Sequence, residues 1–252
     1  MSSPFRRPLF LLAIPVLAAS AFASEAAIIA KARAYLGSDS ALDAVKSVKY
    51  LGTVTTTDPA DATKKTRATI EIIVQRPDQQ RVVATSERGV ETTAVDGYEG
   101  WQRFQDTTDP KNQRVVVMKP DAVKRQRAQA WENLSFYRGL ERRGGQVEDR
   151  GEQTVDGVAC RKVAFIHAPN IIFVRYFDAA TGRLVQTDTD DGGTTKESGE
   201  QVVNGVRFPK TMNMTVKGPK GESQVVNIVL DSVTVNETFP AAVFRIPSPG
   251  SN

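Results

Sequence analysis

The sequence has very little cysteine and histidine, and this scarcity excludes several kinds of protein. Cys160 is the only cysteine and His167 the only histidine among 252 residues. One cysteine cannot form an intrachain disulfide, so the core has to stabilise the fold. One cysteine and one histidine also cannot supply the four ligands of a structural zinc site. We therefore expect a fold without disulfide, metal or cofactor.

Motifs for catalysis are missing as well. The sequence contains no G-x-S-x-G elbow, no phosphate-binding loop and no dinucleotide fingerprint. Cys160 and His167 stand seven positions apart on one predicted strand. Their side chains should point to opposite faces, about 23 Å apart at roughly 3.3 Å per residue. This excludes a Cys–His nucleophile pair and indicates a buried, apolar Cys160 and a surface position for His167 at a strand end.

The acidic clusters indicate turns. In YFDAATGRLVQ, Asp178 can accept hydrogen bonds from the backbone that follows it, and Gly182 can adopt positive φ before the next strand. A second cluster begins at Asp188 and resembles the front of a calcium-binding loop. Glycines occupy its fifth and twelfth positions, Gly192 and Gly199, where such a loop requires ligands. We interpret both clusters as polar turns between strands.

Long apolar runs are also scarce. The run from Leu9 to Ala19 is shorter than the roughly 20 residues that cross a bilayer. Two arginines precede it, and the triplet Ala21, Phe22 and Ala23 follows it. This pattern predicts a secretory signal peptide over residues 1–23, cleaved near Ala23-Ser24. We expect residues 24–252 to form a single domain in the periplasm.

The charge gives no reason to expect nucleic acid as a partner. The formal net charge is +4, and Arg6 and Arg7 of the predicted signal peptide contribute two of these charges. Residues 24–252 are therefore close to neutral. A protein that binds nucleic acid through its phosphates needs a larger positive excess.

The periodicity predicts an α+β fold. Helical spacing of apolar residues covers residues 24–37, 38–47 and 120–143, and strands of period two fill the rest from Val48 onward. The helices are N-terminal or inserted, so the sheet should be antiparallel. Asp96-Gly97, Asp156-Gly157 and Asn204-Gly205 are strong hairpin signals. About a dozen strands should form a meander.

Two segments, NIIFVRYF and QVVNIVLDSV, are apolar on both faces of the strand. Such strands need cover on both sides, and the predicted helices are the available cover. An ordinary core under the helices would explain the pattern. A curved sheet that encloses an apolar cavity with its helices would explain it equally well.

Several motifs follow one another in an order that is typical of one family. They are ALDAVKSVKYLGTV with Gly52, RPDQQR with Pro77, Asp78 and Arg81, VDGYEGWQ with Gly97, Gly100 and Trp101, then VDGVACRKV, YFDAATGRLV, NGVRFP, and a C-terminal strand ending in Asn236, Phe244 and Pro247. With this order, the sequence resembles the periplasmic outer-membrane lipoprotein-sorting proteins of the lipoprotein-carrier superfamily. The pair Asp78-Gln79 departs from the Asp-Lys that is usual in this family.

The resemblance implies a fold and a function. The fold would be a strongly curved antiparallel β-sheet, an unclosed β-barrel of about 11–12 strands, with helices covering the concave side. The function would be that of a monomeric, non-enzymatic periplasmic carrier for the acyl chains of lipids or lipoproteins. A periplasmic sensor or protein-interaction module with the same fold is the alternative, with a protein of the inner or outer membrane as its partner. A hydrolase of unknown type is a third hypothesis without a supporting motif.

Two sets of site residues follow from these expectations. The cavity-lining set contains aromatic and apolar residues of the inserted helix and of nearby strands, namely Trp101, Phe104, Val123, Trp131, Leu134, Tyr137 and Phe173. The docking set consists of Lys124, Arg125 and Arg127, because residues 119–143 hold seven basic and three acidic residues. Such a helix suits an anionic membrane surface or a partner protein. A solvated helix face would explain the same charges.

Overall fold

The computed structural model describes residues 17–218 and 221–247, with side chains from residue 27 onward. Most of the predicted signal peptide, residues 1–23, lies outside the described residues. The helices are α1 Leu17–Leu36, α2 Asp39–Ala44 and α3 Pro120–Ser135, and short 3₁₀ turns cover Glu141–Arg143 and Ala241–Val243. The strands are β1 Ser47–Thr57, β2 Lys65–Gln75, β3 Gln79–Thr85, β4 Val90–Asp96, β5 Glu99–Gln105, β6 Gln113–Val117, β7 Gln146–Val155, β8 Val158–Ala168, β9 Ile171–Asp178, β10 Leu184–Thr189, β11 Thr194–Val203, β12 Val206–Lys217 and β13 Ser223–Val235.

The strands form one antiparallel sheet in the order β6-β5-β4-β3-β2-β1-β13-β12-β11-β10-β9-β8-β7. Within the described ranges β6 and β7 are its two edges, so the sheet is not closed into a barrel. The predicted α+β class with an unclosed antiparallel sheet is confirmed. The sheet has thirteen strands, slightly more than the 11–12 expected.

The path of the chain determines where α3 lies. The chain enters in the middle of the sheet at β1 and meanders outward to the edge strand β6. It then meanders back from the opposite edge strand β7 to β13, which pairs with β1 from Val48↔Val235 to Thr57↔Val225. Because α3 connects the two edges, it has to pass across the sheet. It packs along β2, β3, β4 and β5.

The three predicted hairpins are confirmed. Asp156 and Gly157 join β7 to β8 with φ of 48° and 80°, and Asn204 and Gly205 join β11 to β12 with φ of 49° and 78°. Positive φ at both central residues is the geometry that these dipeptides favour. The β4–β5 turn lies one residue later than predicted, with Gly97 at φ 57° as its first central residue.

The buried core lies between the sheet and its helices in two main clusters. One joins α1 and the residues around α3 to β8 and β9 through Ile28, Ala32, Leu140, Phe165 and Phe177. The other surrounds Leu42 and Leu134 and includes Val74 and Phe208.

Candidate functional site: a cavity beneath α3

A cavity of about 530 Å³ lies on the face of the sheet that α3 crosses. Its floor belongs to the strands in the middle of the sheet, on both sides of the β1–β13 pairing. The side chains are apolar, and they are Tyr50, Ile70, Ile72, Val82, Met212, Met214, Ile228 and Leu230. All eight belong to one apolar cluster. The volume falls within the 300–1,000 Å³ typical of ligand pockets.

The roof of the cavity is polar. Helix α3 contributes Arg125, Gln129, Glu132 and Asn133, which share one face at helical spacing. The apolar residues of the helix point elsewhere: Val123 and Ala130 pack with Val95 on β4. The cavity therefore combines an apolar floor with a hydrogen-bonding roof.

The structure brings two residues of the predicted cavity set to the cavity wall. Phe173 lies on β9, and Tyr137 follows α3 directly. Tyr137 and its neighbour Phe136 both have positive φ, 66° and 47°, which ends the helix sharply. The turn directs Phe136 into the core around Leu134 and packs Tyr137 on Phe177 with ring centroids 4.9 Å apart.

The other five residues of that set lie away from the cavity wall. Val123 and Leu134 belong to the core clusters described above, and Trp131 packs edge-to-face on His167 with ring centroids 5.5 Å apart. Trp101 is buried, and its Nε1 donates a hydrogen bond of 2.8 Å to the carbonyl of Phe244. Phe104 lies on β5 near the sheet edge, with 42% of its surface exposed. Ligand contact by any member of the set stays a prediction.

Two of the three predicted docking residues, Arg125 and Arg127, form ion pairs with turns of the sheet. Arg125 donates two hydrogen bonds of 2.9 Å to Asp190 on the β10–β11 turn. These bonds hold the pKa of the Asp190 carboxyl below its usual value. Arg127 donates to Asp78 at 2.8 and 3.0 Å and stacks 4.0 Å above the ring of Tyr98.

Lys124 is more open to solvent than Arg125 and Arg127. Its side chain is 65% exposed and lies 3.4 Å from Asp121. Docking on a membrane or partner through these three residues stays a prediction. The ion pairs give Arg125 and Arg127 a second role, because they fasten α3 to turns in both halves of the sheet.

A buried charged cluster joins α3 to β8 and β9. Glu132 accepts a hydrogen bond from Arg175 and lies 2.6 Å from Nε2 of His167. Burial would raise the pKa of Glu132, but Arg175 and His167 lower it below its usual value. Arg175 also lies 4.9 Å from the centroid of Tyr137 and 4.7 Å from that of Phe165. The expected surface position of His167 was wrong, because the side chain is only 11% exposed and contacts Glu132.

Glu197 on β11 adds a second carboxylate to the cavity wall. It is opposite Met212 in the register of β11 and β12. Burial raises its pKa, and Arg175 opposes this effect. Burial also raises the pKa of Tyr50 and of Tyr137, and the charge of Glu197 adds to both shifts. Glu197, Tyr50 and Tyr137 all line the same cavity.

A second pocket of about 410 Å³ adjoins the cavity beside the end of α1. The two share a set of lining residues that includes Tyr137, Leu184, Glu197 and Phe208. Glu197 therefore lies where the apolar cavity passes into a more open pocket, whose rim carries Arg207.

Sequence patterns missed Glu132, Arg175 and Glu197, although the first two interrupt an apolar pattern. Arg175 is the one charged residue in NIIFVRYF, and Glu132 stands between Trp131 and Leu134 on the inserted helix. A charge inside an apolar run is a signal for a buried polar contact. Glu197 has no such signal, because its segment KESGEQ is polar throughout.

The described residues contain no cluster of histidine, cysteine or acidic side chains that would hold a metal ion. Asp188, at the start of the candidate calcium loop, instead accepts hydrogen bonds from Tyr176 and Thr194. Among the helices that the structure describes, none is both long and apolar enough to span a membrane.

No family model matches the sequence. The comparison with curated proteins also gives no match. Solved structures share the fold. A DUF1329 family protein from Desulfovibrio piger superposes with a TM-score of 0.56 at 9% identity, over 88% of this chain and 97% of its own. A LolA superfamily protein from Nitrosomonas europaea gives 0.56 at 11% identity, with the same coverage.

A domain assigned as an outer membrane lipoprotein-sorting protein, from Vibrio parahaemolyticus, gives a TM-score of 0.53 at 9% identity, over 90% of this chain and 96% of its own. At such identities the likeness concerns the fold. The chain therefore has the fold of LolA superfamily and lipoprotein-sorting proteins, as its motifs implied.

Proposed function

We propose that this protein is a non-enzymatic periplasmic carrier that binds acyl chains of lipids or lipoproteins in the cavity beneath α3. The observation that carries the proposal is the apolar floor of a cavity of about 530 Å³, formed by side chains on both sides of the β1–β13 pairing. A long acyl chain needs a continuous apolar surface, and this floor offers one.

Burial of an acyl chain provides enough free energy for reversible binding. Each methylene group removed from water contributes about 0.8 kcal/mol, so about ten groups contribute roughly 8 kcal/mol before the entropic cost of binding. Met212 and Met214 suit a site that accepts chains of different shape, because methionine is flexible and polarisable.

The comparisons support the same class of function. One structure of similar fold is a LolA superfamily protein, and another carries the assignment of outer membrane lipoprotein sorting. The predicted signal peptide supports a periplasmic location. A carrier also accounts for a cavity whose floor is apolar.

Isothermal titration with dodecanol tests the proposal. Replacing Met214 by Trp should fill part of the cavity and displace about two methylene groups, which corresponds to a loss of affinity of more than about tenfold. The control is Asn213→Trp, since Asn213 is exposed and its side chain points to the opposite face of β12. Equal affinities of the two variants, or no binding by the wild type, would contradict the proposal.

The alternative of a protein-interaction module is favoured by one feature, the edge strand β6. All five of its residues are exposed, and Val117 exposes 63% of its surface. An exposed apolar edge strand can pair with an extended segment of a partner protein. Native mass spectrometry of the protein as purified separates the two functions. A carrier should retain acyl species, whereas an interaction module should have an empty cavity and a protein partner.

A further inference from the structure

Glu197 lies in the cavity wall without a partner for its charge. In the part of the chain that the structure describes, no ion pair or hydrogen bond reaches its carboxylate. It is not a surface residue, because it lines both the main cavity and the adjoining pocket and is half-buried. The carboxylate is therefore open to a ligand in the cavity and has no direct partner within the described part of the protein.

None of the basic side chains that line the cavity or the adjoining pocket forms an ion pair or hydrogen bond with Glu197 in the described chain. Arg175 donates to Glu132, and His167 lies 2.6 Å from that same carboxylate. At the rim, Arg207 donates to Glu200 at 3.2 Å and to the carbonyl of Tyr35 at 2.7 Å. The carboxylates of Glu132 and Glu200 thus have cationic partners in direct contact, whereas Glu197 has only the longer-range attraction of Arg175.

The position of Glu197 suits the polar end of an amphiphile. Met212, Ile228 and Leu230 form the apolar floor on one side of it, and the adjoining pocket opens on the other. An acyl chain on the floor would therefore bring its head group to this carboxylate. The phenol rings of Tyr50 and Tyr137 line the same space and can stabilise a cation next to them.

We propose that Glu197 binds a cationic head group, so that the cavity selects amphiphiles that carry a protonated amine over neutral or anionic ones of the same chain length. This inference rests on the proposed function, because it concerns the ligand of the same cavity. An ammonium group would supply the missing counter-charge and donate hydrogen bonds to the carboxylate.

Titration with three ligands of equal chain length tests the inference: dodecylamine, dodecanol and dodecanoic acid, each below the concentration at which it aggregates or separates from solution. Burial raises the pKa of Glu197, so a mildly alkaline buffer keeps the carboxylate charged while the amine stays protonated. A hydrogen bond to a charged group adds about 1.5–3 kcal/mol, so dodecylamine should bind at least about tenfold more tightly than dodecanol. Dodecanoic acid should bind more weakly than dodecanol.

Two variants complete the experiment. Glu197→Gln should abolish the advantage of the amine and leave the affinity for dodecanol unchanged, because the amide keeps the size of the side chain without its charge. Glu91→Gln is the matched control, since Glu91 is exposed on β4 and does not line the cavity, and it should keep the preference.

The outcomes separate this inference from the proposed function. Equal binding of amine and alcohol, or a preference for the amine that survives in Glu197→Gln, would overturn the role of Glu197 and leave the carrier intact. Failure of all three ligands to bind would overturn both.

Discussion

Gly182 occupies a position that only glycine fits, for two separate reasons. Its φ of 80° belongs to the left-handed region, which costs other residues about 1–2 kcal/mol. In addition, a Cβ at this position would lie 2.6 Å from the carbonyl carbon of Lys31 and 2.7 Å from the nitrogen of Ala32. These atoms belong to the backbone of α1 and have little freedom to move. The β9–β10 turn is thus packed directly on the N-terminal helix.

A matched pair of variants separates the two effects. Gly157 has the same φ of 80°, but a Cβ there would meet no described atom within 4 Å. Gly157→Ala should lower the free energy of unfolding by about 1 kcal/mol through backbone strain alone. Gly182→Ala should cost a further 1–3 kcal/mol, roughly the cost of overpacking a core. Urea denaturation measures the free energy of unfolding of both variants. Equal decreases would show that α1 can move away from the added Cβ at no cost in free energy.

The neighbouring Asp178 shows what local chemistry can predict. Its Oδ1 accepts hydrogen bonds from the backbone nitrogens of Ala180 at 2.8 Å and Thr181 at 3.2 Å. The predicted turn is confirmed. It was predictable because an aspartate can bond the backbone that follows it and a nearby glycine can adopt positive φ, so the signal lies within the segment itself. The contact between Gly182 and α1 was not predictable, since nothing in either segment indicates that they meet.

Glu197 should make the stability of the protein depend on pH. Burial raises its folded-state pKa, so the folded protein binds this proton more tightly than the unfolded chain does. The resulting stability is complete below the ordinary glutamate pKa of about 4.3. It is lost as pH rises through the raised folded-state pKa.

Glu197→Gln removes this dependence. The variant should therefore gain stability relative to the wild type as the pH increases from acid to mildly alkaline. Denaturation curves of both proteins across this range measure the difference, with Glu91→Gln as the exposed control. A difference that stays constant with pH, or that shrinks as pH rises, would contradict the raised pKa.

At the scale of elements, charged residues attach α3 to the sheet in addition to its buried apolar residues. Asp78 in the β2–β3 turn, only 6% exposed, accepts hydrogen bonds from Arg127 and from Arg143. Arg33 and Arg76 donate to the carbonyls of Phe136 and Leu134, each at 2.9 Å. These two bonds satisfy carbonyl groups that the end of a helix leaves free, and their charge suits the helix dipole.

Two substitutions on α3 test its attachment. Arg127→Gln should lower the free energy of unfolding by about 1.5–3 kcal/mol, because it leaves the buried Asp78 with fewer charged donors. Lys124→Gln, on an exposed pair, should change it by less than about 0.5 kcal/mol. If the docking prediction also holds, Lys124→Gln should weaken binding to anionic liposomes without loss of stability. Equal stability of both variants would mean that the Arg127 pair contributes nothing.

Sequence periodicity predicted that α3 exists, but not which face meets the cavity. The expected apolar stripe included Val123 and Trp131, and such a stripe could face either a cavity or a packed core. In the structure, Val123 packs on Val95 of β4, whereas Gln129 and Glu132 face the cavity. The choice depends on how the helix crosses the sheet, which is a tertiary property that local spacing does not contain.

At the scale of the whole molecule, most of the strand order follows from local signals. Hairpin turns connect successive strands within each half of the sheet, and Asp-Gly and Asn-Gly dipeptides mark three of these turns. The pairing of β1 with β13 has no local signal, because residues such as 48 and 235 are joined by no turn. The unclosed sheet was expected only because the motifs resembled a family that has one.

The seam between β1 and β13 has a consequence for how the protein folds. Within each half, every strand pairs with a near neighbour in sequence, so loop closure costs little entropy and the hairpins can form early. The seam pairs the first strand of the chain with the last. Its formation closes the longest loop and therefore costs the most conformational entropy. Because Ile70 and Ile228 of the cavity floor lie on opposite sides of the seam, the floor of the cavity is complete only when this pairing has formed.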